Sequence, residues 1–137
     1  METQLRIAIQ EWKISRGLEP YADKTINKYL ADIRKLAPPD YENMDWASDT
    51  AFVADKLKDF KYTTQRNYYN SLLIGLYASG VSKGEGVAII YEGKRDLLNA
   101  EYDTSSVAAA TPLMIVHFKL AALLTLLKST VSILAIK

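Results

Sequence analysis

The chain has 137 residues, 49% of them apolar and 24% charged, the proportions of a folded domain with one sizeable core and not of a disordered segment. It contains no cysteine, which excludes disulfides and cysteine-based zinc sites. The net charge of +1 hides an asymmetry: residues 1–103 carry 14 basic and 16 acidic side chains, whereas residues 104–137 carry three lysines and no acid. Neither part is strongly basic, which weakens a nucleic-acid reading based on overall charge.

In chain order, Leu5, Ile9 and Trp12 recur on one face with Ala8 beside them, and Gly17 ends this first helix. The beginning of the chain has no long apolar run, so no signal peptide is expected and the protein is placed inside a cell. A second helix opens at Asp23 or Lys24. Ile26, Tyr29, Leu30 and Ile33 form its apolar stripe, and Pro38-Pro39 stops it. Residues 40–50 form an acidic connector, with Ser48 or Asp49 as the cap of a short third helix containing Phe52, Val53, Leu57 and Phe60. Thr63 or Thr64 is expected to cap a fourth, longer helix with the stripe Tyr69, Leu72, Leu73, Leu76 and Tyr77. The glycine-bearing stretch Ser79–Gly86 is a loop. A fifth helix follows from Val87 to about Ala100, with Val87, Ile90, Tyr91 and Leu98 inward and Lys94-Arg95-Asp96 solvated.

At Asp103 the composition changes. Thr104-Ser105-Ser106 reads as a linker or cap, and Pro112 as the possible first residue of a sixth helix. Residues 113–136 are nearly all apolar. They have the length of a membrane span, but His117, Lys119 and Lys128 interrupt them, which disfavours one. A core helix and a helix buried in a partner subunit are the other readings, and self-association through 113–136 to a homo-oligomer is expected. The loss of acidic residues there also suits a replaced or frame-shifted C-terminus. The expected architecture is all-α: a bundle of about five helices over residues 1–103, then a long apolar helix in 104–137.

Catalytic and metal-binding readings find little support. His117, the sole histidine, lies in an apolar run with no cysteine or acid near it, and reads as structural. Gly80–Gly86 departs from a phosphate loop because Lys83 precedes its glycine and a helix precedes the stretch. Asp40, Glu42, Asp45 and Asp49 miss the calcium-loop pattern. No enzyme, metal or cofactor is therefore expected. Tyr68 and Tyr69 are adjacent on one helix, so at most one is expected to face the core directly. The polar side of the second helix is more informative. Lys24, Lys28 and Lys35 fall at i, i+4 and i+11 as one stripe opposite the core, flanked by Arg34. The start of the fourth helix offers Lys61, Thr63, Thr64, Gln65 and Arg66 beside free helix N–H groups. Both features suit phosphate, and both also suit a solvated face and an N-cap.

Asp23–Leu36 resembles the "T-x-x-x-Y-x-x-D-L-x-x-L" helix of the core-binding, SAM-like domain of tyrosine recombinases (phage-type integrases), through Thr25, Tyr29, Leu30, Ile33 and Leu36. Lys61–Leu73 is similar to that domain's last helix, with Thr64, Arg66, Leu72 and Leu73 as the more loosely matching positions. Glu-Trp-Lys-x-x-Arg-Gly-Leu at 11–18 and Arg-Asp-Leu-Leu-Asn-Ala at 95–100 also resemble proteins of large DNA viruses and virophage-like elements. The resemblance covers roughly residues 3–80. It implies a helical domain that clamps one face of duplex DNA, with Lys24, Lys28, Lys35, Thr64 and Arg66 on phosphates. The family's catalytic domain has no counterpart here, so a non-catalytic DNA-binding module is implied, located in the host cytoplasm, the nucleus or the virion. The alternative is an oligomeric structural or interaction protein, with the virion as one place of assembly.

Overall fold

Gly17 has φ +76° and its N–H bonds the carbonyl of Ile14 at 2.9 Å, which closes the first helix with a conformation that glycine adopts most readily. The computed structural model describes residues 2–110. Among them the chain is all-α, with no strand and five α-helices: α1 Glu2–Ser15, α2 Asp23–Leu36, α3 Thr50–Leu57, α4 Tyr62–Ala78 and α5 Gly86–Ala110. The chain divides into two compact units, Met1–Asn99 and Ala100–Lys137; the packing that follows is that of the first. The expected apolar helix at 113–136, with Pro112 before it and His117 within it, lies outside the described residues.

The apolar stripe of α2 sets its orientation. Ile26, Leu30, Ile33 and Leu36 are buried, and Tyr29 is half-buried at the margin. After Leu36 the backbone of Ala37 is extended, as a residue before Pro38 must be. α4 is the central element, with α1 and α2 both packed on it. Its buried residues therefore occupy more than one side of the helix: Tyr68, Tyr69, Ser71, Leu72, Leu73, Gly75 and Leu76. This overturns the expectation that one of the two adjacent tyrosines would miss the core. Tyr68 packs its ring on Phe60 at 5.4 Å, and Tyr69 packs on Tyr91 of α5 at 5.7 Å. Where α4 passes α2, a Cβ on Gly75 would stand 2.9 Å from Ile33 Cδ1 and 3.0 Å from Met44 Cε, so glycine allows the close approach.

Four further expectations are corrected. The segment 40–50 is more than a solvated connector, because a 3₁₀ turn at Asp45–Ser48 folds its apolar residues inward. Met44 and Ala47 are buried, and the Trp46 ring packs edge-on to Tyr41 and Phe52. Its acids remain outside, and Asp49 caps α3 by accepting from Phe52 N at 3.1 Å. α4 begins two or three residues earlier than expected: Lys61, and not Thr63 or Thr64, holds the cap position, and no side chain caps the helix. α5 runs to Ala110, so 104–106 belong to a helix and not to a linker. Its inner line is Ala88, Tyr91 and Leu98, all buried, whereas Ile90, expected inside, is 47% exposed. Tyr91 sets that phase: it is fully buried, and its hydroxyl donates to the carbonyl of Ala47. Ile90, 100° round the helix, is turned outward.

Candidate nucleic-acid interface

The three lysines of α2 stand on the side opposite Ile26, Leu30 and Ile33. Lys24, Lys28 and Lys35 are all exposed, and none of them forms an ion pair among the described residues. Lysine at this spacing on a half-buried helix cannot reach the core, so the apolar stripe that docks α2 also aims the ammonium groups at solvent. The flanking Arg34 is engaged instead. It forms a two-pronged bond with Glu2 of α1, its Nη2 donating to Oε2 at 2.9 Å, and this carboxylate raises the guanidinium pKa above its ordinary value. Arg6 similarly donates to Asn27 of α2. The cations nearest α1 thus tie α1 to α2, and the lysines remain available.

The beginning of α4 is less open than its composition suggests. Thr64 and Arg66 are half-buried. Gln65 Nε2 donates to the carbonyl of Phe60 at 2.8 Å, closing the α3–α4 turn, so Gln65 is already occupied. Lys61 is exposed at the cap position.

One of the expected residues joins a cleft that sequence reasoning missed. Lys28 of α2, Asn67, Asn70, Ser71 and Tyr77 of α4, and Arg95 of α5 line a cavity of about 330 Å³. Asn67, Asn70, Ser71, Ile74 and Tyr77 follow one face of α4 at helical spacing. Carboxylates beside the cleft are taken up internally. Asp32 accepts from Ser71 Oγ at 2.6 Å. Glu92 accepts from the Tyr77 hydroxyl and, at 3.1 Å, from the backbone N–H of Gly84, which ties the glycine-bearing loop down as an interhelical connector. Tyr77 also stacks on Trp12 at 5.7 Å. Burial, and then the Glu92 bond, push its phenol up to about 12, so it stays protonated. Arg95 is three-quarters covered and bonds Asp96 at 3.3 Å.

Lys28 and Arg95 line the cleft together with the carboxamides of Asn67 and Asn70, whereas the hydroxyl protons of Ser71 and Tyr77 are already given to Asp32 and Glu92. Ammonium, guanidinium and carboxamide N–H groups are the donors that suit the oxygens of a phosphate or similar anion. Thr64 and Arg66 do not line this cleft; the structure groups Lys28 with Asn67, Asn70 and Arg95 instead. The pair Asn67 and Asn70, polar at i and i+3 where the helix turns from its polar first turns to its apolar stripe, was the available signal. Arg95 carried none, because its position depends on how α5 returns across α4. Among the described residues no cluster of three or more His, Asp or Glu is placed to hold a metal ion, and no helix is long and apolar enough to cross a membrane. No family model, curated protein or solved structure matches the chain.

Proposed function

We propose that this chain is a non-catalytic helical module that binds the phosphate backbone of duplex DNA through α2 and the adjoining α2–α4–α5 cleft, in the manner implied by its resemblance to recombinase core-binding domains. The observation that carries the reading is the α2 stripe: Lys24, Lys28 and Lys35 are exposed on one face with no ion pair among the described residues, while Arg34 beside them is bound to Glu2. A solvated helix face ordinarily mixes its charges, whereas a phosphate-facing one keeps its cations clear. Lys28 links the stripe to the cleft, so a phosphate chain tracking along α2 passes Asn67, Asn70 and Arg95. The near-neutral whole chain implies weak binding through few contacts, without broad attraction.

Fluorescence anisotropy on a labelled duplex, titrated across salt, tests this. Three phosphate contacts give a slope of log affinity against log salt of about −3. An absence of duplex binding at low salt removes the reading. The second reading, an interaction protein, draws on a different surface: the outer side of α5 exposes Ile89, Ile90 and Leu97.

A further inference from the structure

Trp12 near the end of α1 and Tyr77 on α4 stack their rings at 5.7 Å. Together with Arg16 and the loop residues 80–83 they line a second cavity, of about 330 Å³, which is at the small end of the range for ligand cavities. Its walls are fixed. The N–H groups of Gly80 and Val81 donate to the carbonyls of Tyr77 at 3.1 Å and Leu76 at 3.0 Å, and the Tyr77 hydroxyl and Gly84 N–H both donate to Glu92. The carbonyls that end α4 and the Glu92 carboxylate are thus occupied. Donors are left over. Arg16 and Lys83 are exposed and form no ion pair among the described residues. The N–H groups of Ser82 and Lys83 make no backbone bond there either. The Arg16 guanidinium lies over the Trp12 ring, 4.9 Å from its centroid.

A ring stack, two cations and unused N–H donors in one cavity select a ligand that is both flat and anionic. A quaternary amine, the other guest of aromatic walls, would meet two like charges, and a plain anion would leave Trp12 unused. We propose that this cleft binds one unpaired nucleotide, its base stacked between the Trp12 ring and the Arg16 guanidinium and its phosphate held by Lys83 and the N–H groups of Ser82 and Lys83. Arg16 lifts from Trp12 to admit the base and covers its outer face. Lys24, Lys28 and Lys35 line no part of this cleft, so its occupancy is independent of duplex binding on α2. Bases within a duplex are already stacked and paired, which leaves a free nucleotide or a single strand as the source.

Tryptophan fluorescence tests the site, because the chain has two tryptophans and Trp46→Phe leaves Trp12 as the only emitter. The full-length Trp46→Phe chain is titrated with thymidine monophosphate, with a short oligothymidylate and with a blunt duplex. The expected result is quenching by the first two and none by the duplex. Equal affinity for the two assigns the cleft to a free nucleotide, and tighter binding of the oligonucleotide assigns it to a single strand. Lys83→Ala should weaken binding about fivefold and flatten the salt slope of the oligonucleotide by about 0.7. Arg16→Ala should weaken binding about fivefold through lost stacking. Absence of quenching by both nucleotide and oligonucleotide overturns the proposal, as does quenching by the duplex or quenching unaffected by Lys83→Ala and Arg16→Ala. If Trp46→Phe fails to fold, anisotropy of a labelled oligothymidylate on the otherwise unaltered chain decides: Trp12→Ala should lower affinity at least about fivefold and Trp12→Phe, which keeps a ring, should lower it less, whereas equal affinity in all three overturns the site. Duplex affinity is read separately, so failure here leaves the proposed function standing.

Discussion

Ser71 Oγ on α4 donates to Asp32 Oδ2 on α2 at 2.6 Å, from a side chain that is 1% exposed. A hydroxyl has one proton, and the second nearby acceptor, the carbonyl of Asn67, stands at 3.1 Å; the shorter, charged contact holds the proton. Ser71→Ala removes the donor and leaves the half-buried Asp32 carboxylate short of a partner. The expected cost is about 1–2 kcal/mol. Asp32→Ala costs a similar amount, and the double variant costs less than the two together, by about 1 kcal/mol. Urea unfolding of the four proteins measures each value, and strict additivity would show that the two side chains do not interact.

Two glycines inside helices should respond oppositely to substitution. At Gly75 a Cβ meets Ile33 Cδ1 at 2.9 Å and Met44 Cε at 3.0 Å. Both are ends of flexible chains, so Gly75→Ala trades helix propensity against a small displacement, with a net change within about 1 kcal/mol. Gly75→Val adds two further methyl groups at the contact of α4 with α2 and is expected to destabilise by about 2–3 kcal/mol. At Gly93, where a Cβ would meet nothing within 4 Å among the described residues, alanine is expected to stabilise by about 0.5–1 kcal/mol. Thermal unfolding at one low protein concentration compares all three without interference from association.

Much of the helical framework was legible because short-range physics dictates it. The α2 stripe, the Pro38-Pro39 stop, the Asp49 cap and the glycine-bearing loop each depend on residues a few positions apart. What was missed depends on tertiary surroundings. Tyr68 and Tyr69 are both buried because α4 has neighbours on several sides, a fact that one-sided periodicity cannot carry. Ile90 is exposed because the Tyr91 bond to Ala47, 44 residues away, sets the rotation of α5. The same dependence hid half of the candidate site. Lys24, Lys28 and Lys35 follow from spacing on one helix, but the association of Lys28 with Asn67, Asn70 and Arg95 requires three helices to be placed together.

Alkaline pH should unfold the protein through its tyrosines. Burial is the first cause of the raised pKa at Tyr91, well above the ordinary value of 10.0, and at Tyr77, up to about 12; Tyr69 is also raised by burial. In the unfolded chain these phenols ionise near 10. Above that pH the unfolded state binds fewer protons than the folded state, so stability declines as pH rises. The stabilisation is complete below pH of about 10 and is lost progressively as pH rises through the raised pKa values. Tyr91→Phe removes one such group and the bond to Ala47. It should lower stability at neutral pH by about 1 kcal/mol and make the alkaline decline shallower. Melting temperatures measured from pH 7 to 11.5 read both effects; a decline equally steep in Tyr91→Phe would show that this tyrosine does not drive it.

Single substitutions separate the cleft from the beginning of α4 as the place where DNA phosphate is held. Lys24→Ala and Lys35→Ala each remove one ammonium from the α2 stripe. Each should weaken binding to any duplex sequence and reduce the magnitude of the salt slope by about one. Lys28→Ala should do more, because it also strips one rim of the cleft. Its effect should couple to Arg95→Ala, so that the double variant loses less affinity than the two single losses together. Asn67→Ala should weaken binding without changing the salt slope, since a carboxamide releases no counterion. If phosphate is held at the N-terminus of α4 instead, Thr64→Ala and Arg66→Ala carry the loss, and Asn67→Ala and Arg95→Ala leave affinity unchanged. Each substitution can be scored by anisotropy at three salt concentrations. The cleft assignment requires Lys28 and Arg95 to couple while Lys28 and Arg66 act independently, because Arg95 lines the cleft with Lys28 and Arg66 does not.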